Sequence, residues 1–257
     1  MRYFALLLTM ALSACFSTKE IVDIRDNGSL RYTITQEINK DALNDLGVLD
    51  PNFSLDTALI LTDRTMDLVV REVRKMPGVE YAGWTGDLSA YGNSETIKSR
   101  FELVLDSFTR FPTVIKNIEN IKISDSDAQL AINQLDVPVG AKTMMTSMPA
   151  GIGGLFDYKV IEKNGGEYAL SITTEGLGGD TPPPPMGFDM PHASVTISTP
   201  DMVYTNLDKV GSNRAEATLD VLQASTVAFN GVVEFQMGYL ARARIKSLQL
   251  LDDLTTQ

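Results

Sequence analysis

The chain has 257 residues, with 22 Lys+Arg against 33 Asp+Glu and a formal net charge of −11. Such an acidic balance argues against DNA or RNA as partner and against broad adhesion to anionic headgroups, because phosphate binding needs a basic face. With 44% hydrophobic residues and one cysteine, the chain can bury a substantial core but has no internal disulfide.

Residues 1–14 read as a targeting segment, which is set aside from fold reasoning. Arg2 supplies a minimal positive start, and Tyr3 to Leu12 form an apolar run too short for a spanning helix, which needs about 20 residues. Small residues then lead to the cysteine in Leu12-Ser13-Ala14-Cys15. That order resembles the lipobox of bacterial lipoproteins. The resemblance implies cleavage before Cys15 and lipid attached to it, so Cys15 is the expected lipid-attachment residue. Removing residues 1–14, whose only charge is Arg2, leaves 21 Lys+Arg against 33 Asp+Glu, a mature charge of −12. Phe16 follows in place of the aspartate associated with inner-membrane retention in enterobacteria. The expected location is therefore the cell envelope, on the outer membrane facing the periplasm or on the cell surface.

Phe16 to Lys19 is read, with Cys15, as a lipidated tether. Ile21, Val22 and Ile24 then lead to Asp26-Asn27-Gly28, after which Leu30, Tyr32, Ile34 and Ile38 alternate with Arg31, Thr33, Thr35 and Glu37. Asn-Gly between such runs predicts a hairpin with a type I′ turn, positive φ at both central residues. Lys40 to Gly47 is read as a short helix. Leu55 to Met76 is the best-patterned helix: Leu55, Ala58, Leu59, Met66, Val69, Val70, Val73 and Met76 share one stripe, with Ser54 to cap it and Pro77-Gly78 to stop it. Asp67 and Arg71 on its polar face are read as a solvated pair.

Strands are predicted over 79–90 and 95–106, the second with Ile97, Phe101, Leu103 and Leu105 on one face. Pro112 to Ile121 is read as a helix with Pro112 in its first turn. Segment 137–155 is apolar yet rich in helix breakers and is predicted to be a long loop. A hairpin follows over 156–174, turning at Asn164-Gly165-Gly166, with Phe156, Tyr158 and Val160 facing Tyr168, Leu170 and Ile172. Loop 176–191 contains four consecutive prolines, a stiff, donor-poor run expected at the surface. Further strands are marked by Val195 with Ile197 and by 214–222. The C-terminus from Gly238 to Leu254 is read as helical through Leu240, Ala243, Leu248, Leu251 and Leu254.

Motifs for chemistry are sparse. His192, the only histidine, sits beside Pro191 without a Gly-x-Ser-x-Gly elbow, and reads as a loop residue without catalytic role. One His and one Cys cannot build a usual zinc site. Asp125-Ser126-Asp127 lacks the glycine and final glutamate of an EF-hand and reads as helix capping. Two glycine-rich stretches, 151–154 and 176–179, lack the Lys-Ser/Thr of a phosphate loop. Met144, Met145, Met148, Met186 and Met190, with His192, suit Cu(I) in principle, but methionine also fills irregular apolar space, and that is the preferred reading. No cofactor, metal site or catalytic residue is assigned.

The order lipobox, strand, Asp/Asn-Gly turn, polar-alternating strand and helix resembles the LppM-like domain family of bacterial lipoproteins. Leu12 to Cys15 and Ile21 to Ile38 carry the likeness, with Thr96 to Asp106 as a later strand. The resemblance implies a curved antiparallel sheet packed on helices in a lipid-binding-like fold; the methionine-rich and tetraproline loops depart from it. The expected architecture is α+β, one domain over 20–257, its sheet covered on one side by the 55–76 and C-terminal helices. The expected function is non-enzymatic: a membrane-anchored protein binding an apolar ligand or a protein partner, with a hollow between sheet and helix and loop 137–155 at its mouth. The alternatives are a carboxylate-dependent hydrolase of the envelope and a purely structural envelope component.

Overall fold

The computed structural model describes residues 16–39, 55–86, 96–121, 156–174, 192–220 and 228–255. In chain order the elements are β1 (Phe16–Ile24), β2 (Leu30–Asn39), α1 (Leu55–Val73), β3 (Val79–Gly86), β4 (Thr96–Leu105), a 3-10 turn (Phe108–Arg110) leading into α2 (Phe111–Glu119), β5 (Asp157–Glu162), β6 (Glu167–Thr173), β7 (His192–Ser198), β8 (Met202–Thr205), β9 (Asp208–Gly211), β10 (Arg214–Asp220), β11 (Asn230–Gln236) and α3 (Tyr239–Thr255). The fold is α+β, as expected. Its strands form two sheets: seven in the order β3-β4-β2-β1-β7-β10-β9 and four in the order β5-β6-β11-β8.

The β1–β2 hairpin forms because alternation puts Val22, Ile24, Leu30, Tyr32 and Ile34 on one face, where all are buried. Its turn differs from the type I′ expectation. Only Gly28 has positive φ (84°), no described non-glycine residue does, and the Gly28 N–H donates to the Arg25 carbonyl at 2.9 Å. Arg25 N–H in turn donates to the Ser29 carbonyl at 3.0 Å. This is the three-residue loop in which a type I turn is followed by a left-handed glycine. The Asn27 side chain accepts from the Ser29 N–H at 2.9 Å and thereby holds the loop without αL geometry of its own.

Strand β1 also begins earlier than a tether over 15–19 allows. Phe16 already pairs with Ile38 and Thr18 with both Gln36 and Ala193, so residues 16–19 of the expected tether are the start of a strand. The pairing of β1 with β7 is parallel, a single parallel pair among otherwise antiparallel described pairs. Strand 95–106 has the predicted faces, Phe101, Leu103 and Leu105 being buried. Hairpin 156–174 forms as expected, with Tyr158 opposite Ile172, Val160 opposite Leu170 and Glu162, not Val160, opposite Tyr168.

Helix α1 buries Met66, Val69, Val70 and Val73 against the inner face of the seven-stranded sheet. Trp84 on β3 donates its indole N–H to Asp63 of α1 at 3.0 Å. The rest of that face is covered by α2 and by the four-stranded sheet, giving one continuous core. The chain passes between sheets at 199–201, after β7, and returns at 206–207, before β9.

The expected cover by the C-terminal helix is corrected. Helix α3 lies across the turns, where Ile245 comes within reach of Gly28, Arg242 donates to the Gly165 carbonyl at 2.8 Å, and Arg110 bonds Asp252 at 2.8 Å. Its buried residues are Ala241 and Ile245, whereas Leu240, Leu250, Leu251 and Leu254 are 57–82% exposed. Of the stripe read as a core face, Leu240, Ala243, Leu251 and Leu254 are therefore exposed and Leu248 is half-buried, while the small Ala241 lets the helix approach the turns on its other side. The predicted helix at 40–47, loops 137–155 and 176–191, and Asp125-Ser126-Asp127 lie outside the described residues.

Candidate functional site: the central strand and the buried acid beneath it

Strand β1 is the fourth of seven strands, flanked by β2 and β7. Cys15 lies outside the described residues, immediately before the first residue of this strand. Any group carried on that cysteine is thus attached to the middle of the sheet, one residue from a hydrogen-bonded ladder.

Four positions along β1 from Phe16, Glu20 points inward and is fully buried. The Tyr32 hydroxyl, from β2, donates to its Oε2 at 2.5 Å, and the Tyr158 hydroxyl, from β5 of the other sheet, donates to the same oxygen at 2.6 Å. Short O–H···O contacts of this length are those of charge-assisted hydrogen bonds. Burial pushes both phenols well above their ordinary value of 10.0, and the adjacent Glu20 carboxylate pushes them further. Both therefore stay protonated through neutral pH and act as donors. The rings add packing: Phe111 lies 4.9 Å from Tyr32 and 4.7 Å from Tyr158 between ring centroids. The chemistry of this cluster is that of a clasp joining the hairpin to the second sheet. Exposures of 0%, 0% and 8% for Glu20, Tyr32 and Tyr158 leave it closed to a substrate.

Sequence reasoning misses this acid. Its only signal is a glutamate in phase with Val22 and Ile24, at a position where alternation asks for an apolar side chain.

Other carboxylates with raised pKa have separate structural reasons. Asp63 is raised by partial burial, opposed by its bond from Trp84. Burial raises Asp106, which lies 3.3 Å from the Arg110 Nε in an ion pair without hydrogen-bond alignment. Glu119 is raised by burial and by nearby Asp157. At the turn end, an open cleft of about 410 Å³ is lined by Asp26, Pro200, Asp201, Gln236, Met237, Gly238, Tyr239 and Arg242. Among the described residues no three His, Cys, Asp or Glu side chains converge as a metal site. His192 opens β7 rather than lying in a loop, and is exposed. The clustered methionines at 144, 145, 148, 186 and 190 lie outside the described residues. No described helix is long and apolar enough to cross a membrane.

No protein-family model matches the chain, and no curated protein does. Among solved structures, the NMR structure of the folded domain of the Mycobacterium tuberculosis LppM protein is similar, with 11% identity, 87% of this chain and 90% of that chain covered, and a TM-score of 0.44. At that identity and score the likeness transfers neither ligand nor activity.

Proposed function

We propose that the protein is a membrane-tethered lipoprotein of the bacterial cell envelope, held by lipid on Cys15, whose domain acts by binding rather than catalysis. One observation carries the reading: the chain's only cysteine ends Leu12-Ser13-Ala14-Cys15, behind a short apolar run, and the central strand starts at the next residue. Acylation gives the thiol a use that a disulfide cannot. One acyl chain binds only marginally, so lasting attachment takes more than one.

Within the described core, rings of Tyr32, Phe111, Tyr158, Phe108, Tyr168 and Phe235 fill the space between the sheets. The leucines Leu240, Leu250, Leu251 and Leu254 of α3, by contrast, are exposed. Both features favour a protein partner at the surface over an apolar ligand enclosed between the sheets. The test of the anchor is fractionation of Cys15→Ser beside the natural chain. The natural chain should sediment with membranes and the variant should stay in the soluble fraction or remain unprocessed. A variant that is processed normally and still sediments would end the reading. For ligand against partner, native mass spectrometry of the soluble domain with envelope lipids should show no bound lipid.

A further inference from the structure

We infer that α3 is a pairing surface for a second copy of this chain, two α3 helices meeting antiparallel about Ser247 on the membrane that anchors both. The inference rests on the anchor and on the binding reading above, and it names the partner.

The first ground is the pattern of the free face. Helix positions advance about 100° per residue, so Leu240, Ala243, Ser247, Leu250, Leu251 and Leu254 fall within an arc of about 100°. All six are exposed. Ala241 and Ile245, the residues that α3 buries, lie on its other side.

The second ground is the order of sizes along that face. Leucine stands at its start and at its end, with the small Ala243 and Ser247 between. Turned antiparallel about Ser247, the second copy sets its Leu250 and Leu251 over Ala243 and its Leu254 beside Leu240. Large side chains then fill the space above small ones, as close helix packing requires. A parallel pair would set Ala243 against Ala243 and leave a gap.

Charge is the third ground. Lys246 and Asp253 are exposed, seven residues apart on one flank of the face, and neither has an ion-pair partner among the described residues. An antiparallel two-fold pair brings like flank to like flank. Each Lys246 then faces the second copy's Asp253, offset by about 7–8 Å along the axis, within reach of a lysine side chain. Parallel pairing puts the two on opposite sides. A helix suited to a bilayer surface carries Lys and Arg along its polar face. Here the bases, Arg242, Arg244 and Lys246, occupy the first half and the acids, Asp252 and Asp253, the second. That division fits its own reverse.

Two helices paired over about 26 Å lie at the small end of specific interfaces. In dilute solution the copies therefore separate. On one membrane the anchors confine both and raise their effective concentration, which supplies what the area does not.

With the sole cysteine acylated, an introduced cysteine is the one reactive thiol of the full chain. Membranes bearing each variant are floated and treated with a short bismaleimide, and the adducts are sized on denaturing gels. Ser247→Cys should give an adduct of twice the chain mass. Leu240→Cys and Leu254→Cys each lie about 21 Å along the axis from their own counterparts. Alone, each should give several-fold less adduct, yet the two should crosslink when co-expressed. In the Ser247→Cys chain, Lys246→Asp or Asp253→Lys should cut the yield several-fold, and both together should restore it. Chains that fail to float refute the anchor, and pairing on the membrane with it. Chains that float but give no adduct, equal adduct at all three positions, or no rescue by the double charge exchange refute the pairing alone. An adduct of another mass also refutes it, while keeping a binding role with a different protein.

Discussion

At one end of the two sheets the chain reverses in tight turns, at Asp26–Gly28, Asn164–Gly166 and Ser212–Asn213, and α3 crosses the first two. At the other end β1 starts at Phe16, β2 stops at Asn39, β3 at Gly86 and β10 at Asp220, while β4, β5 and β7 start at Thr96, Asp157 and His192. The segments 40–54, 87–95, 122–155, 175–191 and 221–227 all connect elements from this second side. The contrast is between an end made by local chemistry and an end made by distance. Turns are specified by two or three adjacent residues. The second end is specified by where β1 falls in the strand order and by Glu20, which gathers hydroxyls 12 and 138 residues away.

The sharpest way to break this contrast is to remove the long-range acceptor. Glu20→Ala leaves the Tyr32 and Tyr158 phenols without this carboxylate, and each buried donor left unsatisfied costs about 1–3 kcal/mol. Urea unfolding should therefore show a greater loss for Glu20→Ala than for any single substitution at the turns or on α3. Glu20→Gln, which keeps an acceptor oxygen, should lose less. Equal midpoints for Glu20→Ala and the natural chain would mean that the clasp holds nothing.

The same cluster sets an alkaline limit. Both phenols have folded-state values raised above 10.0. Below pH 10 they are protonated folded or unfolded, so their contribution is fully present. Above it the unfolded chain loses protons that the folded one keeps, and stability falls as pH rises. Replacing both by phenylalanine should flatten the pH dependence of the unfolding midpoint above pH 10, even if the midpoint at pH 7 drops. A slope unchanged in the double variant would place the titration elsewhere.

Turn-end substitutions should be milder. Gly28 (φ 84°) and Gly165 (φ 79°) are both left-handed, but a Cβ on Gly28 would stand 3.1 Å from Ile245 side-chain carbons whereas Gly165 faces open space. Gly165→Ala should cost only the backbone term, about 1 kcal/mol. Gly28→Ala should cost more, because α3 must shift as well. Reversal of that order in thermal melts would show that α3 does not bear on the hairpin. Smallest of all is Leu251→Asp. At 57% exposure it should move stability by less than about 0.5 kcal/mol, and a large loss would mean that the stripe is covered.

The parts legible in the sequence follow the same division. The hairpins at 21–38 and 156–174 are legible from Asn-Gly and Asn-Gly-Gly between alternating runs, and α1 from its stripe of Met66, Val69, Val70 and Val73, whereas the start of β1 at Phe16 is not. The turn type at Asp26–Gly28 is not, because Asn tolerates αL but does not require it, and here its side chain bonds Ser29 instead. Strands β8 and β9 are four residues each, too short for a period to register. Parallel pairing of β1 with β7 joins residues more than 170 apart in sequence, and no local pattern encodes it. Helix α3 is legible, but most of its expected core stripe faces outward: Leu240, Ala243, Leu251 and Leu254 are exposed and Leu248 is half-buried, while Ala241 and Ile245 meet the turns. Glu20 is invisible for the reason that makes it informative, a charge where the pattern wants none.

The most direct measurement is the intact mass of the mature chain extracted from membranes, with fragmentation of its first peptide. A chain starting at Cys15, lacking residues 1–14 and carrying acyl groups on that residue, is the predicted result. A chain that keeps its first fourteen residues, or that begins at Cys15 with an unmodified thiol, would contradict it.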